Sequence, residues 1–195
     1  MNIGITTSFI VGGLLMLSIL HMNYTVSNNS RQSTMQMIAK TKQQTISQTI
    51  TADFQRMGYG VKENEPVITF AGSEKIVFKA TIGGSKHNII WQFNSSAKYK
   101  KTENPNDYKL RRTGPVANGK VSTTFYSVVS FNLTYYDMQG NETTAKSKVD
   151  KIKVKIVTES PQPLTSSTGK KEYGRSFWQR TIVPSSLHIR NMQTN

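Results

Sequence analysis

Three histidines, eleven carboxylates and no cysteine are the side chains from which this chain of 195 residues could assemble a metal centre or an acid–base pair. His21, His87 and His188 stand far apart, with no His-x-x-x-His or comparable ligand spacing, so no metal site is expected. The closest carboxylate sets are Glu63 with Glu65 and Asp137 with Glu142. Both fall in segments whose turn chemistry already accounts for them, which leaves acid–base catalysis without support. Gly12-Gly13 and Gly83-Gly84 lack the flanking residues of a phosphate loop or dinucleotide fingerprint, and no nucleophile elbow is present. The chain therefore reads as a protein that is not an enzyme, with no cofactor and no small-molecule substrate. Without cysteine, disulfides and thiolate metal sites are excluded, while the compartment stays open, because an oxidising one permits disulfides without requiring them.

The residues with a chemical theme are basic ones interleaved with aromatics. They form three groups: Lys98-Tyr99-Lys100-Lys101, then Tyr108-Lys109-Leu110-Arg111-Arg112, and a lysine run from Lys146 that includes Lys151, Lys153 and Lys155. Such a mixture holds single-stranded nucleic acid by phosphate attraction and base stacking. The formal net charge is +14, and residues 61–195 alone carry 21 Lys and Arg against 10 Asp and Glu. Lysine-rich strand faces also arise simply because they keep sheets from pairing edge to edge, and a solvated basic surface is the plainer explanation. DNA is accordingly a secondary partner expectation, carried by Lys98, Lys100, Lys101, Lys109, Arg111, Arg112, Lys151, Lys153 and Lys155.

These groups need a scaffold, and the chain begins with a segment that serves another purpose. From Ile3 to Met22 no residue is charged, and Phe9 to Leu20 is apolar apart from Ser18. Twenty helical residues rise about 30 Å, the thickness of a bilayer's hydrocarbon layer, which predicts a membrane anchor. A cleaved secretory signal would call for a basic start and a small-x-small site, and neither Met1-Asn2-Ile3-Gly4 nor the stretch after Leu20 supplies them. The nearest charges, Arg31, Lys40 and Lys42, would by loop-charge bias lie in the cytoplasm, yet that bias is weak for long translocated domains, and the following domain is expected outside.

Beyond the anchor, Met35, Ile38, Ile46, Ile50, Phe54 and Met57 recur at helical spacing, with Lys42 filling the gap. No proline precedes Pro66, so anchor and stripe predict a nearly continuous helix from about Ile5 to Met57, about 80 Å long, with fraying or a bend expected over Asn23–Ser33. After Gly58-Tyr59-Gly60 the pattern changes to alternation, and strands are predicted over Val67–Ala71, Lys75–Ile82, Asn88–Phe93, Val121–Tyr126, Val128–Tyr136, Lys151–Val157 and Phe177–Val183. Asp137 to Asn141 fits a turn, and Ser160–Lys171 reads as a surface loop. In Lys151 to Ile156 the lysines share one face and the aliphatics the other. The fold class is α+β: a long helix, with a transmembrane half and an amphipathic half, packed on an antiparallel sheet. Residues 1–22 form the anchor, 23–57 its amphipathic continuation, and 58–195 a basic β-rich domain.

This order of elements resembles the type IV pilin superfamily, especially the minor pilins and the J-type minor pseudopilins of type II secretion. Asp53-Phe54-Gln55-Arg56-Met57-Gly58-Tyr59-Gly60 is similar to the Asp-x-x-Arg-x-x-Gly-Tyr ending of their long helix, with Gly58 shifted by one place. Phe131 to Asp137 with Gly140, followed by Ile152 to Ile156, resembles their paired strands, and Arg180 to Leu187 their closing strand. The resemblance implies a leader cut between Gly4 and Ile5. The chain departs from the family's pattern there, having no basic leader residue, Ile instead of Phe after the Gly, and Phe9 where the family carries Glu at the fifth mature position. It also implies an assembly helix, in which Phe9, Gly12, Gly13, Leu14 and Leu17 face lipid or like helices, small residues allowing close approach.

The expected role is thus a minor structural subunit of a type IV pilus or type II secretion pseudopilus. It would sit in a bacterial inner membrane with its C-terminal domain in the periplasm or an extracellular filament, and its partners would be the membrane and other pilin or pseudopilin subunits. The rival reading is a membrane-tethered binding or adhesion protein, binding DNA through its basic surface.

Overall fold

With no proline to interrupt it, helix α1 runs unbroken over Ile3–Gln55, 53 residues or about 80 Å. The structure, a computed structural model, describes residues 3–116, 119–165 and 169–194; Met1 and Asn2 of the expected leader lie outside them. The fraying expected over Asn23–Ser33 is absent, since the helix is continuous through it. The hydroxyls of this polar stretch turn back onto the helix itself, Thr25 Oγ1 donating to His21 O and Thr34 Oγ1 to Ser30 O, each at 2.9 Å, so they satisfy the helix instead of competing with it. The helix stops two residues short of Met57. Gly58, at φ +81°, takes a left-handed conformation that other residues resist, and its N–H donates to Lys79 O at 3.0 Å.

Ten strands follow: β1 (Ile68–Ala71), β2 (Lys75–Ile82), β3 (Ser85–Lys98), β4 (Tyr108–Pro115), β5 (Val121–Val128), β6 (Ser130–Tyr136), β7 (Lys151–Glu159), β8 (Leu164–Thr165), β9 (Lys171–Glu172) and β10 (Arg175–Ile182), and then helix α2 (Ser185–Thr194). The first five make an antiparallel meander in the order β1-β2-β3-β4-β5. A second sheet has the order β10-β7-β6, and β8 pairs with β9. This is an α+β architecture with a long apolar N-terminal helix and an antiparallel β domain.

Several boundaries differ from the sequence reading. The strand expected over Asn88–Phe93 is 14 residues long, and β4, which was not predicted, pairs with it in register Trp91↔Arg112. The charges at Lys109, Arg111 and Arg112 hid that strand. Val128 closes β5 and does not open β6. The surface loop over Ser160–Lys171 contains β8 and the first residue of β9, whereas the closing strand ends at Ile182. Pro184 forbids further ladder pairing, and α2 begins at Ser185, with His188 N donating to Pro184 O at 2.9 Å. The Asp137–Asn141 turn is present. Asp137 Oδ1 accepts from Asn141 N at 2.8 Å, and the chain returns to bridge Glu142 to Tyr136 before reaching β7.

Both sheets turn their apolar faces inward, and the C-terminal half of α1 fills the space they enclose. Ile46, Ile50 and Phe54 are fully buried among Ile76, Phe78, Trp91, Leu110, Val154 and Ile156, and Phe54 meets Phe78 edge to face at 5.6 Å. The buried stripe higher up differs from the expected one: Ala39 and Gln43 are inside, and Ile38 is exposed. Close approach selects that face. Gly174, just before β10, lies so near the helix that an added Cβ would stand 2.6 Å from Met35 O and Gln36 N, and Thr158 Oγ1 donates to Ala39 O at 2.9 Å. Only a small residue fits opposite such a contact, and Ile38, about 100° further round, points to water.

Candidate functional site

Two features set this chain apart from an ordinary packed domain, and the first is the free half of α1. Its most apolar 18-residue window has a mean hydropathy of 2.1 and is 0% buried, which makes it long and apolar enough to cross a membrane. Phe9, Leu14 and Leu17 are exposed, and a Cβ added at Gly12 or Gly13 would meet nothing within 4 Å. Gly4 and Ile5 occupy the first turn, where Ser8 Oγ donates to Gly4 O at 3.0 Å. Leaving such a surface in water costs roughly 25 cal/mol per Å², which favours an apolar covering.

The other half of α1 is held by two buried polar clusters that periodicity did not reveal. Asp53 is 2% exposed and lies on the helix face toward β3 and β4. Its Oδ2 accepts from Trp91 Nε1 at 2.8 Å and from Arg112 Nε at 2.7 Å, and its Oδ1 from Arg112 Nη2 at 2.8 Å. The hydrogen bond to Asp53 raises the Arg112 guanidinium above its ordinary value, outweighing burial. Arg112 is thereby removed from the expected basic surface: an inward-facing strand position has drawn it into the core.

Further toward the N-terminus of α1, Lys42 Nζ lies 3.3 Å from Asp107 Oδ1 and donates to Glu159 O at 2.9 Å. Burial pulls Lys42 below the usual lysine value, against the attraction of Asp107. Asn104 and Asn106 each donate to Glu159 Oε2 at 3.0 Å, so the loop after β3 is sewn to the end of β7 and to the helix. Lys42 thus fills the apolar gap in the helical stripe by ion pairing. The signal in the sequence was a lone lysine at a stripe position.

The second distinctive feature is the distribution of the remaining basic residues over two outward sheet faces. Lys100 and Lys101 are exposed in the turn after β3, and Lys98 donates to Pro105 O and sits 3.8 Å from the centre of the Tyr108 ring. Lys109 and Arg111 project from the outer face of β4, where Arg111 Nη2 donates to Gln92 Oε1 at 2.6 Å. Lys151, Lys153 and Lys155 project from the outer face of β7, opposite the buried Ile152, Val154 and Ile156. Lys153 Nζ donates to Tyr136 Oη at 3.0 Å and Lys151 Nζ to Met138 O at 3.4 Å. The nine expected residues therefore divide among a turn, two different sheets and the core.

The three histidines fall on α1, β3 and α2, and among the described residues no group of three or more His, Asp or Glu could hold a metal ion. His188 Nδ1 lies 2.7 Å from Asp150 Oδ1, a pairing of α2 with the start of β7 that sequence spacing did not suggest. Beside it a groove of about 690 Å³ runs between α2 and the segment before β1, lined by Glu63, Pro66, Val67, Lys146, Leu187 and Arg190. The Arg190 guanidinium crosses this groove to the carbonyls of Lys62 and Glu65 at 3.0 Å, which ties α2 down.

Compared with protein-family models, with curated proteins and with solved structures, the chain finds no match in any of the three.

Proposed function

We infer that the chain is a pilin-like minor subunit of a type IV pilus or a type II secretion pseudopilus, working by assembly and not by catalysis. In this reading the free half of α1 anchors the protein in the bacterial inner membrane, the β domain lies in the periplasm, and on assembly the apolar helix exchanges lipid for the helices of neighbouring pilin subunits. One observation carries the inference: a single uninterrupted 53-residue helix has an N-terminal half that is apolar and wholly exposed, while its C-terminal half is built into the core of an antiparallel β domain. A plain tether needs no rigid continuation. A helix that must pass from lipid into a bundle of like helices, carrying its domain at a set angle, does. The open positions at Gly12 and Gly13 suit close helix–helix approach. Asp53, Arg56, Gly58 and Tyr59, the residues that carried the likeness at the end of the helix, stand where the helix closes onto the sheet.

The test is the intact mass and N-terminal sequence of the protein extracted from native membranes. A chain starting at Ile5 supports processing as a prepilin, one starting at Met1 leaves an unprocessed anchor without filament assembly, and one starting near Asn23 sinks the reading.

A further inference from the structure

The outward face of the five-stranded sheet has a composition that the filament reading leaves unused. Register places its residues in rows across the strands. One row runs Lys75, Gln92, Arg111, Phe125, from β2 to β5, and the next runs Phe70, Val77, Ile90, Thr113, Thr123, from β1 to β5. A third places Asn94 and Lys109 beside Ser127. Neighbouring strands stand about 4.8 Å apart and alternate residues about 7 Å, so the two phenylalanines bracket the face at its two edges, roughly 20 Å from each other, with cations and amides between them. Phe125 is 50% exposed and Phe70 46%, and Lys75 Nζ caps the Phe70 ring at 5.0 Å.

No Asp or Glu occupies an outward position on any of the five strands. Glu65, a carboxylate that reaches this face from the segment before β1, is engaged by Lys79 at 3.5 Å and by Lys86 at 2.6 Å. None of the ion pairs among the described residues involves Lys75, Lys109 or Arg111. An ordinary solvated sheet face mixes both signs of charge and hides its aromatics. This one shows cations without a carboxylate partner, two half-exposed aromatic rings, one of them capped by Lys75, and the amides of Gln92 and Asn94. That is the chemistry by which an open antiparallel sheet holds an unpaired strand: rings stack on bases, amides meet base edges and cations meet phosphates.

We propose that the outer face of the β1–β5 sheet, through Phe70, Lys75, Gln92, Lys109, Arg111 and Phe125, is a binding surface for single-stranded nucleic acid. The three-stranded sheet, where Phe177 is 63% exposed and Gln179 stands beside Lys155, is the surface to compare it with. Two of its three lysines, Lys151 and Lys153, are hydrogen-bonded to Met138 O and to the Tyr136 hydroxyl. The proposal stands independently of whether the chain assembles into filaments.

The experiment is fluorescence anisotropy of a labelled 20-nucleotide oligo-dT titrated with the full chain in uncharged detergent micelles, at several salt concentrations. The expected result is binding whose logarithm falls with log salt at a slope of about −2, as three phosphate contacts predict. Phe125→Ala should weaken it on the order of ten-fold and Phe125→Trp should preserve it. Arg111→Gln, at a surface position, should weaken it and flatten the salt slope, which keeps the test intact if Phe125→Ala fails to fold. The combined Lys151→Gln, Lys153→Gln and Lys155→Gln chain should bind within about three-fold of the parent, since those residues are outside the surface. No binding at low salt overturns the proposal. So does binding indifferent to both Phe125→Ala and Arg111→Gln, or binding lost in the triple-lysine variant while those two retain it.

Discussion

The Arg112 guanidinium meets the Asp53 carboxylate through two parallel hydrogen bonds of 2.7 and 2.8 Å, joining the last turn of α1 to the middle of β4 inside the core. The pair sets how the helix enters the domain, because a bidentate contact has one geometry. Arg112→Ala leaves Asp53 buried with Trp91 as its remaining side-chain donor, and should cost about 3–5 kcal/mol. Replacing both partners, as Asp53→Leu with Arg112→Met, should recover much of that loss. Thermal unfolding of the full chain in detergent measures both, and a cost below about 1 kcal/mol for Arg112→Ala would contradict the clamp.

Gly174, just before β10, lies against the backbone of α1, and a side chain there has no room. With Met35 O and Gln36 N each 2.6 Å from an added Cβ, the obstacle is backbone. Gly174→Ala should destabilise by about 1–3 kcal/mol and raise amide exchange around Ala39, where the Thr158 hydroxyl bond would be pulled apart. Unchanged exchange protection from Met35 to Gln43 would show that the helix does not rest on this contact.

Tyr135 supplies a pH dependence with a definite sign. Its hydroxyl is buried and donates to Gly72 O at 2.8 Å, and burial pushes its ionisation well above the ordinary value of 10.0, so the folded chain keeps the proton that the unfolded chain gives up. A raised folded-state value contributes stability that is whole below pH 10 and lost as pH rises beyond it. Tyr135→Phe should therefore be less stable than the parent near pH 8, by about 1 kcal/mol for the missing hydrogen bond. The gap should narrow or reverse above pH 10. Denaturant unfolding at pH 8 and pH 11 reads the difference, and a gap that widens at pH 11 would refute the assignment.

On the proposed assembly, Gly12 and Gly13 are the positions that separate lipid anchoring from helix association. Because a Cβ at either position meets nothing within the chain, Gly12→Leu and Gly13→Leu should leave folding and membrane retention intact while reducing cross-linking to neighbouring subunits in native membranes. Leu14→Arg should instead impair retention, since an arginine at the centre of a span costs about 2.5–3.5 kcal/mol. Cross-linking unaffected by the leucine substitutions would place the helix contact elsewhere.

Local pattern alone determined the exposed apolar half of α1, the helical stripe that follows it and most of the strands, because each is written in nearest-neighbour terms: an uncharged run, a three-and-four stripe, a two-residue alternation. Lys151 to Ile156 show this best, with three lysines outside and three aliphatics inside as alternation requires. Tertiary structure decided what the exceptions to pattern mean. Lys42, Asp53 and Arg112 look like polar intrusions until Asp107, Trp91 and the opposing carboxylate are brought to them from 65, 38 and 59 residues away. Ile38 and Ala39 exchanged burial because Gly174, far along the chain, lets backbone meet backbone on one side of the helix only. The rows that put Phe70, Arg111 and Phe125 on one surface exist only through strand register, which no single stretch of sequence contains. Burying a charge or aligning a row depends on which distant segment arrives opposite, and that is set by the collective packing of helix and sheets.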